Sequence, residues 1–288
     1  MWILFAFGSA FFAGLTSILA KCGIKKTDSN VATAIRTIIV AAFAWLIVFI
    51  TGVQNEIKAI NTLSWIFLIL SGIATGASWL CYFKALQKGS INKVVAIDKS
   101  SIILTIIFAL IFFKEEISVL KFFCIAAIGT GTYLMIKKKS ELPKNQDEGH
   151  GWFFYAMLSA VFASITSILG KAGMAQLNSN LGTAIRTCVV LIMAWIVVFA
   201  VKKENTITSI SKKELLFISL SGIATGSSWL CYFKALQLGP ASVVVPIDKL
   251  SIVITVLFSY IMFKEKLSKK AFFGLLLIII GTLCLLIN

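Results

Sequence analysis

Charge is scarce in this chain, and acid is scarcer than base. Only 14% of its 288 residues are charged, with 27 Lys and Arg against 12 Asp and Glu. A soluble domain carries about 25% charged residues, so a soluble fold is excluded. The 59% hydrophobic content and mean hydropathy of +0.95 place the chain in a bilayer instead. The net charge of +15 is then expected to reflect loop lysines rather than a nucleic-acid partner. Histidine is nearly absent, the one copy being His150 in a polar stretch. No HExxH, Walker A or dinucleotide fingerprint occurs, so neither an enzyme nor a cofactor is indicated. The six cysteines (Cys22, Cys81, Cys124, Cys188, Cys231, Cys284) fall in or beside apolar segments without a CxxC pair. That argues against a disulfide framework or a zinc site. Met1-Trp2-Ile3 leads straight into an apolar segment with no basic n-region, so no cleavable signal peptide is expected.

What the chain does have is repetition. Ser71–Gly89 returns as Ser221–Gly239 with two changes, Ala77→Ser227 and Lys88→Leu238. The same 150-residue register relates Ala34–Thr37 to Ala184–Thr187, Asp98-Lys99 to Asp248-Lys249, and Phe113-Lys114-Glu115 to Phe263-Lys264-Glu265. Apolar segments of about 20 residues recur, each long enough to cross about 30 Å of hydrocarbon, and in lipid such spans must be helical. The pattern predicts an all-α integral membrane protein of ten transmembrane helices. Residues 1–137 hold the spans Ile3–Lys21, Val31–Gly52, Leu63–Gln87, Val94–Phe113 and Val119–Ile136. A polar linker covers 138–151. Residues 152–288 hold Trp152–Lys171, Leu181–Val201, Leu215–Gln237, Val243–Phe263 and Ala271–Ile287.

Five spans per half require the second half to enter the membrane inverted. Lysine placement agrees. Lys25, Lys26, Lys88 and Lys93 in the first half, and Lys202, Lys203, Lys212, Lys213, Lys264, Lys266, Lys269 and Lys270 in the second, all fall on one face. Two near-copies with opposite lysine placement fit an inverted-topology repeat. Taken literally, the lysine-rich face is cytoplasmic and both termini lie outside.

Ionisable groups inside apolar spans are costly and by default line a pathway or meet a partner. Here they are Arg36, Lys84, Asp98 and Lys99, repeated as Arg186, Lys234, Asp248 and Lys249. Arg36 and Asp98 each sit about six residues from the same face, roughly 8–10 Å deep at ~1.5 Å per residue. An Arg–Asp pair is therefore expected in one leaflet, and its repeat, Arg186 with Asp248, in the other. Such pairs also arise simply to pin two helices, and arginine near a helix end snorkels. Polar stripes continue inward as Asp98–Ser101–Thr105 and Asp248–Ser251–Thr255–Ser259. Gly72/Gly76 and Gly222/Gly226 form GxxxG pairs suited to close helix packing. Thr75, Trp79 and Tyr82, with Thr225, Trp229 and Tyr232, share a helical face and are candidate cavity walls, though aromatics near helix ends also serve as interface belts. Pro246, where the first half has Ala96, is expected to kink its helix.

Each half resembles the EamA domain of the drug/metabolite transporter superfamily. The segments that carry the likeness are YFKALQLG (Tyr232–Gly239), ASVVVPI (Ala241–Ile247), Phe263–Ser268 and Gly281. Lys114 and Lys264 stand where the family pattern has glycine before glutamate. The resemblance implies two inverted five-helix repeats, a central cavity and alternating access. It makes the chain a secondary transporter of a small polar metabolite, such as an amino acid, amine or organic anion, in the plasma membrane. Expected partners are that small molecule, the lipid bilayer and a coupled proton or other ion, with the protein a monomer or homodimer. Asp98 and Asp248 are assigned to gating or coupling, and Arg36, Lys99, Arg186 and Lys249 to a carboxylate or phosphate. A flippase for a modified carrier lipid and a non-transporting membrane scaffold are the alternatives.

Overall fold

The computed structural model describes residues 1–23, 27–88, 97, 101–115, 118–136, 151–203, 207, 210–263 and 268–286. They form helices and connections, with no strand among the described residues. In the first half α1 is Trp2–Gly23, α2 Ser29–Ile50, α3 Thr62–Lys88, α4 Ser101–Phe113 and α5 Val119–Ile136. A 3-10 helix, Val53–Ala59, joins α2 to α3. The second half holds α6 Gly151–Gly173, α7 Ser179–Ala200, α8 Lys212–Leu238, α9 Ala241–Lys249, α10 Ser251–Phe263 and α11 Lys269–Cys284.

The repeat extends to the caps that start three helices of each half. Asp28 accepts from the Asn30 N–H at 2.8 Å, and its counterpart Asn178 accepts from Asn180 at 2.9 Å. Asn61 and Ser211 cap α3 and α8, while Ser118 and Ser268 cap α5 and α11. Each side-chain oxygen satisfies an N–H that the helix itself leaves unpaired.

Polarity is distributed inside out. Ser9, Ser71, Ser159, Ser221 and Thr187 are fully buried, whereas Phe122, Phe123, Phe272 and Phe273 are exposed. That is the arrangement for a solvent of lipid tails. Among the described residues, seven segments are long and apolar enough to cross a membrane, and α4 and α5 are shorter apolar helices.

Ten spans were expected, the ninth kinked by Pro246; the described chain has eleven α-helices. The ninth expected span is two of them. Pro246 lies within α9 and supplies no N–H to its ladder, and the regular helix is interrupted four residues later, at Leu250, whose own backbone stays helical (φ −62°, ψ −11°). There the Leu250 N–H turns to the Ile247 carbonyl (2.9 Å) and the Val253 N–H to that of Leu250 (2.9 Å). This break also interrupts the predicted stripe, leaving Asp248 on α9 and Ser251 and Thr255 on α10.

The two halves pack mainly onto each other. α1 runs antiparallel to α8, where Ser9 meets Ser228 at 3.3 Å and Thr16 meets Thr225 at 3.3 Å. The same ladder recurs between α6 and α3 as Ser159–Ser78 (3.2 Å) and Thr166–Thr75 (3.3 Å). Contacts that exchange partners under a 150-residue shift define an approximate twofold. Equivalent helices meet across it in opposite directions. Val31 and Ala34 of α2 cluster with Ala194 and Val198 of α7, while the Trp45 indole N–H donates to Cys188 Sγ at 3.2 Å. Gly131 of α5 abuts Gly274, and Gly281 of α11 abuts Cys124.

Candidate functional site

The glycines of the repeated stretch decide where the polar groups meet. A Cβ on Gly72 would lie 2.6 Å from Val189 Cβ and 3.0 Å from the Arg186 carbonyl oxygen. Without one, α3 settles onto α7, and Ser71 and Thr75 reach the Arg186 side chain. Arg186 Nε donates to Ser71 Oγ at 3.3 Å and Nη2 donates to Thr75 Oγ1 at 2.8 Å. Two rings of α8 cover the guanidinium, Phe233 with its centroid at 4.3 Å and Trp229 at 5.1 Å. Phe233 fits because Gly170 of α6 presents no side chain to it. Arg186 is 1% exposed, yet no carboxylate of the described residues lies within ion-pair distance of it.

An isolated buried cation costs several kcal/mol. Hydrogen bonds from a charged donor return roughly 1.5–3 kcal/mol each, and a desolvated cation–π contact about 2 kcal/mol. The hydroxyls and rings hold the cation in place without neutralising it.

Asp248 lies elsewhere. Ser9 Oγ donates to its Oδ1 at 2.5 Å, and Lys249 Nζ is 3.9 Å from Oδ2. The expected Arg186–Asp248 pair is therefore not made. Depth arithmetic placed the two groups in one leaflet, but α8 runs between α7 and α9. Its Tyr232 hydroxyl is hydrogen-bonded with Ser167 Oγ of α6 at 2.9 Å.

The first-half counterparts are held differently. Arg36 is half-buried and makes no hydrogen bond or ion pair with the described residues. Thr225, the counterpart of Thr75, donates to the Ser221 carbonyl and meets Thr16. Trp79 packs beside Val31, Ala34, Ala194 and Val198, whereas Tyr82 packs with Ala85, Ala156, Trp152 and Tyr155. The two aromatics do not share one wall with Thr75. Asp98 and Lys99 lie outside the described residues. Ser101 and Thr105, the rest of that stripe, are buried, and Thr105 Oγ1 is turned to the Ser101 carbonyl at 2.8 Å. An open apolar groove of about 500 Å³, with no charged residue in its lining, is bordered by Ile103, Phe122, Ile125, Ala126, Gly129, Thr130 and Tyr133 of α4 and α5.

A second charged cluster, unforeseen from the sequence, sits at the lysine-poor end of the bundle. Glu115, in the turn after α4, accepts from the Ala241 N–H at 2.7 Å and the Ser242 N–H at 3.0 Å, the first turn of α9. Lys171, at the end of α6, pairs with Glu115 Oε1 at 3.2 Å, donates to the Gly239 carbonyl at 2.6 Å and stands 4.9 Å over the Phe113 ring. Burial alone pushes the Glu115 carboxyl up. The contacts from Ser242, then Lys171 and the Ala241 N–H, outweigh it and hold Glu115 below the usual carboxylate range. Lys114, just before it, has φ +51°, a left-handed backbone that glycine adopts without strain. One sequence signal for this cluster existed: Lys21/Lys171 and Glu115/Glu265 are identical in both halves.

A protein of known crystal structure superposes on this one with a TM-score of 0.80, over 99% of this chain and 96% of that one, at 14% identity. In sequence, 134 residues are 44% identical to an uncharacterized transporter encoded in the cobO 3' region of a Sinorhizobium species, covering 95% of that protein and 46% of this chain. The model of the EamA-like transporter family matches twice, over residues 1–137 and 150–287. This chain is thus an integral membrane protein that belongs to the EamA-like transporter family.

Proposed function

We propose that the chain is a secondary active transporter of a small polar metabolite bearing a carboxylate or similar anionic group. In this reading ten spans, arranged as two inverted repeats in the plasma membrane, expose a central site to each side in turn. The observation that carries it is Arg186. This buried guanidinium has two hydroxyl partners, two ring faces and no carboxylate partner among the described residues, at a junction of helices from both halves. An anion arriving between α3, α7 and α8 would replace the missing counter-charge, and Arg suits a planar carboxylate. In this reading Tyr232 and the Asp248–Lys249 pair take the ligand's other polar groups or a coupled proton. A scaffold whose charges only pin helices would hold the two arginines alike; Arg186 and Arg36 are held differently.

Thermal-shift screening of the purified protein against a metabolite panel tests the reading, because a ligand that prefers the folded state raises its melting temperature. The expected hits carry a carboxylate, lose their shift in Arg186→Gln, and are taken up by proteoliposomes. Uptake unchanged in Asp98→Asn, Asp248→Asn and the double variant would refute a coupling role for those acids.

A further inference from the structure

The nine residues of α9 are bounded at both ends. Pro240 precedes them and the Leu250 break follows. Residues Ala241–Ile247 are all buried, while Asp248 and Lys249 sit at the far end. Nothing covalent holds the near end of α9 to the first half. The apolar residues of α9 share a core with Ile102, Ile106 and Ala109 of α4, and its polar ties are Glu115, which accepts from the Ala241 and Ser242 N–H groups, and Lys171, which bridges Glu115 to the Gly239 carbonyl just ahead of the helix. Neighbouring contacts close the same end. Gln237 Nε2 donates to the Met174 and Leu177 carbonyls, both at 2.6 Å, and the Trp2 ring lies against Gly239. The Glu115 and Lys171 side chains are only 11% and 16% exposed. A charge pair largely removed from water contributes little net stability over an apolar pair. It does supply a contact that is strong when aligned and lost when either partner moves.

We propose that α9 is a gate hinged at Leu250 and latched shut by Glu115 and Lys171 on the lysine-poor face. Released, α9 swings away from the turn after α4 and admits water from that face to Asp248 and the Arg186 site. This rests on the transport reading of that site. The latch joins the two halves, so it opens only when they move relative to each other, as alternating exposure requires. Anions attract helix N-termini, which makes Glu115 a fitting catch for a helix that must re-dock.

The test uses the full chain in lipid nanodiscs and a water-soluble maleimide. Val244→Cys places a reporter on a fully buried position one turn into α9, and its modification is read by peptide mass spectrometry. Ala156→Cys, a fully buried position near the opposite end of α6, reports general loosening. Glu115→Gln and Lys171→Gln are each expected to speed labelling at V244C at least tenfold while leaving A156C within twofold. Should either fail to fold, Ala241→Pro removes one N–H donated to Glu115 at a helix position that tolerates proline and is expected to speed V244C labelling several-fold. Labelling at V244C within twofold of the parent overturns the latch, as does an equal rise at both reporters. Because the probe is a maleimide, the result does not depend on the metabolite. Unchanged labelling with carboxylate uptake intact refutes the latch alone. Faster labelling in a protein without carboxylate-dependent shift or uptake supports the latch and refutes the transport reading.

Discussion

The contact between α5 and α11 permits a test in which helix propensity cancels. Gly129 and Gly131 lie two residues apart on α5. A Cβ on Gly129 would meet Ile103 Cδ1 at 3.4 Å, an ordinary contact with a flexible side chain. One on Gly131 would fall 2.5 Å from the Gly274 carbonyl oxygen and 3.0 Å from the Ile278 nitrogen. Those are backbone atoms of α11, so the two helices must part. Alanine gains up to about 1 kcal/mol of helix propensity over glycine at either position. Overpacking costs roughly 1–3 kcal/mol at Gly131 alone. At about 2–4 °C per kcal/mol, Gly131→Ala should melt roughly 2–12 °C below Gly129→Ala. The assay is intrinsic fluorescence from the seven tryptophans of purified protein in one detergent. Gly281, the counterpart, faces the Cys124 carbonyl oxygen at 2.9 Å. The Gly131→Ala/Gly281→Ala double variant should therefore cost less than the sum, since one separation relieves both clashes. A Gly131→Ala protein that melts at or above Gly129→Ala would refute the close-packed seam.

Arg186→Lys keeps the charge but loses the fork to Ser71 and Thr75 and the flat face against Phe233. It should abolish carboxylate-induced thermal shifts, and Thr75→Val should weaken them roughly tenfold, the value of one hydrogen bond to a charged group. Lys114→Gly relieves a left-handed backbone that costs roughly 1–2 kcal/mol, less the entropy glycine loses on folding. The net gain is a few tenths to about 1 kcal/mol, read as a rise in melting temperature, whereas Lys114→Val should lower it. Glu115 is depressed in the folded protein, so its contribution is complete above the unfolded carboxyl value of about 4.3 and fades as pH falls through the folded value. The melting-temperature gap between wild type and Glu115→Gln should stay constant from pH 8 to 5 and close only at lower pH.

The repeat, the helical positions and the packing role of Gly72 and Gly222 were all legible in the amino-acid order, because they depend on local composition and spacing. Partner choice was not. Thr75 and Thr225 are identical in sequence context, yet Thr75 meets Arg186 while Thr225 meets Thr16 and its own helix's Ser221 carbonyl. The helices alongside are equivalent, α7 at Gly72 and α2 at Gly222; what differs is whether the arginine side chain of that helix turns to the threonine, and neither periodicity nor depth reports it. The Arg186–Asp248 pairing failed because residue counting gives distance from a face but not the order of helices around the bundle. Glu115 and Lys171 escaped notice because each sits at a helix end, where a single charge looks like ordinary solvation. Only their joint recurrence across the repeat distinguishes them.

The ladder between α1 and α8 also sets a timetable. Ser9 and its partner Ser228 are 219 residues apart, so at synthesis rates of about 5–20 residues per second roughly 10–45 s separate their appearance. Throughout that interval α1 lies in the bilayer with Ser9 and Thr16 uncovered, and α3 waits with the bare Gly72–Gly76 groove that α7 will fill. The nascent first half is thus an incomplete surface that must avoid pairing with another copy of itself until its own second half arrives.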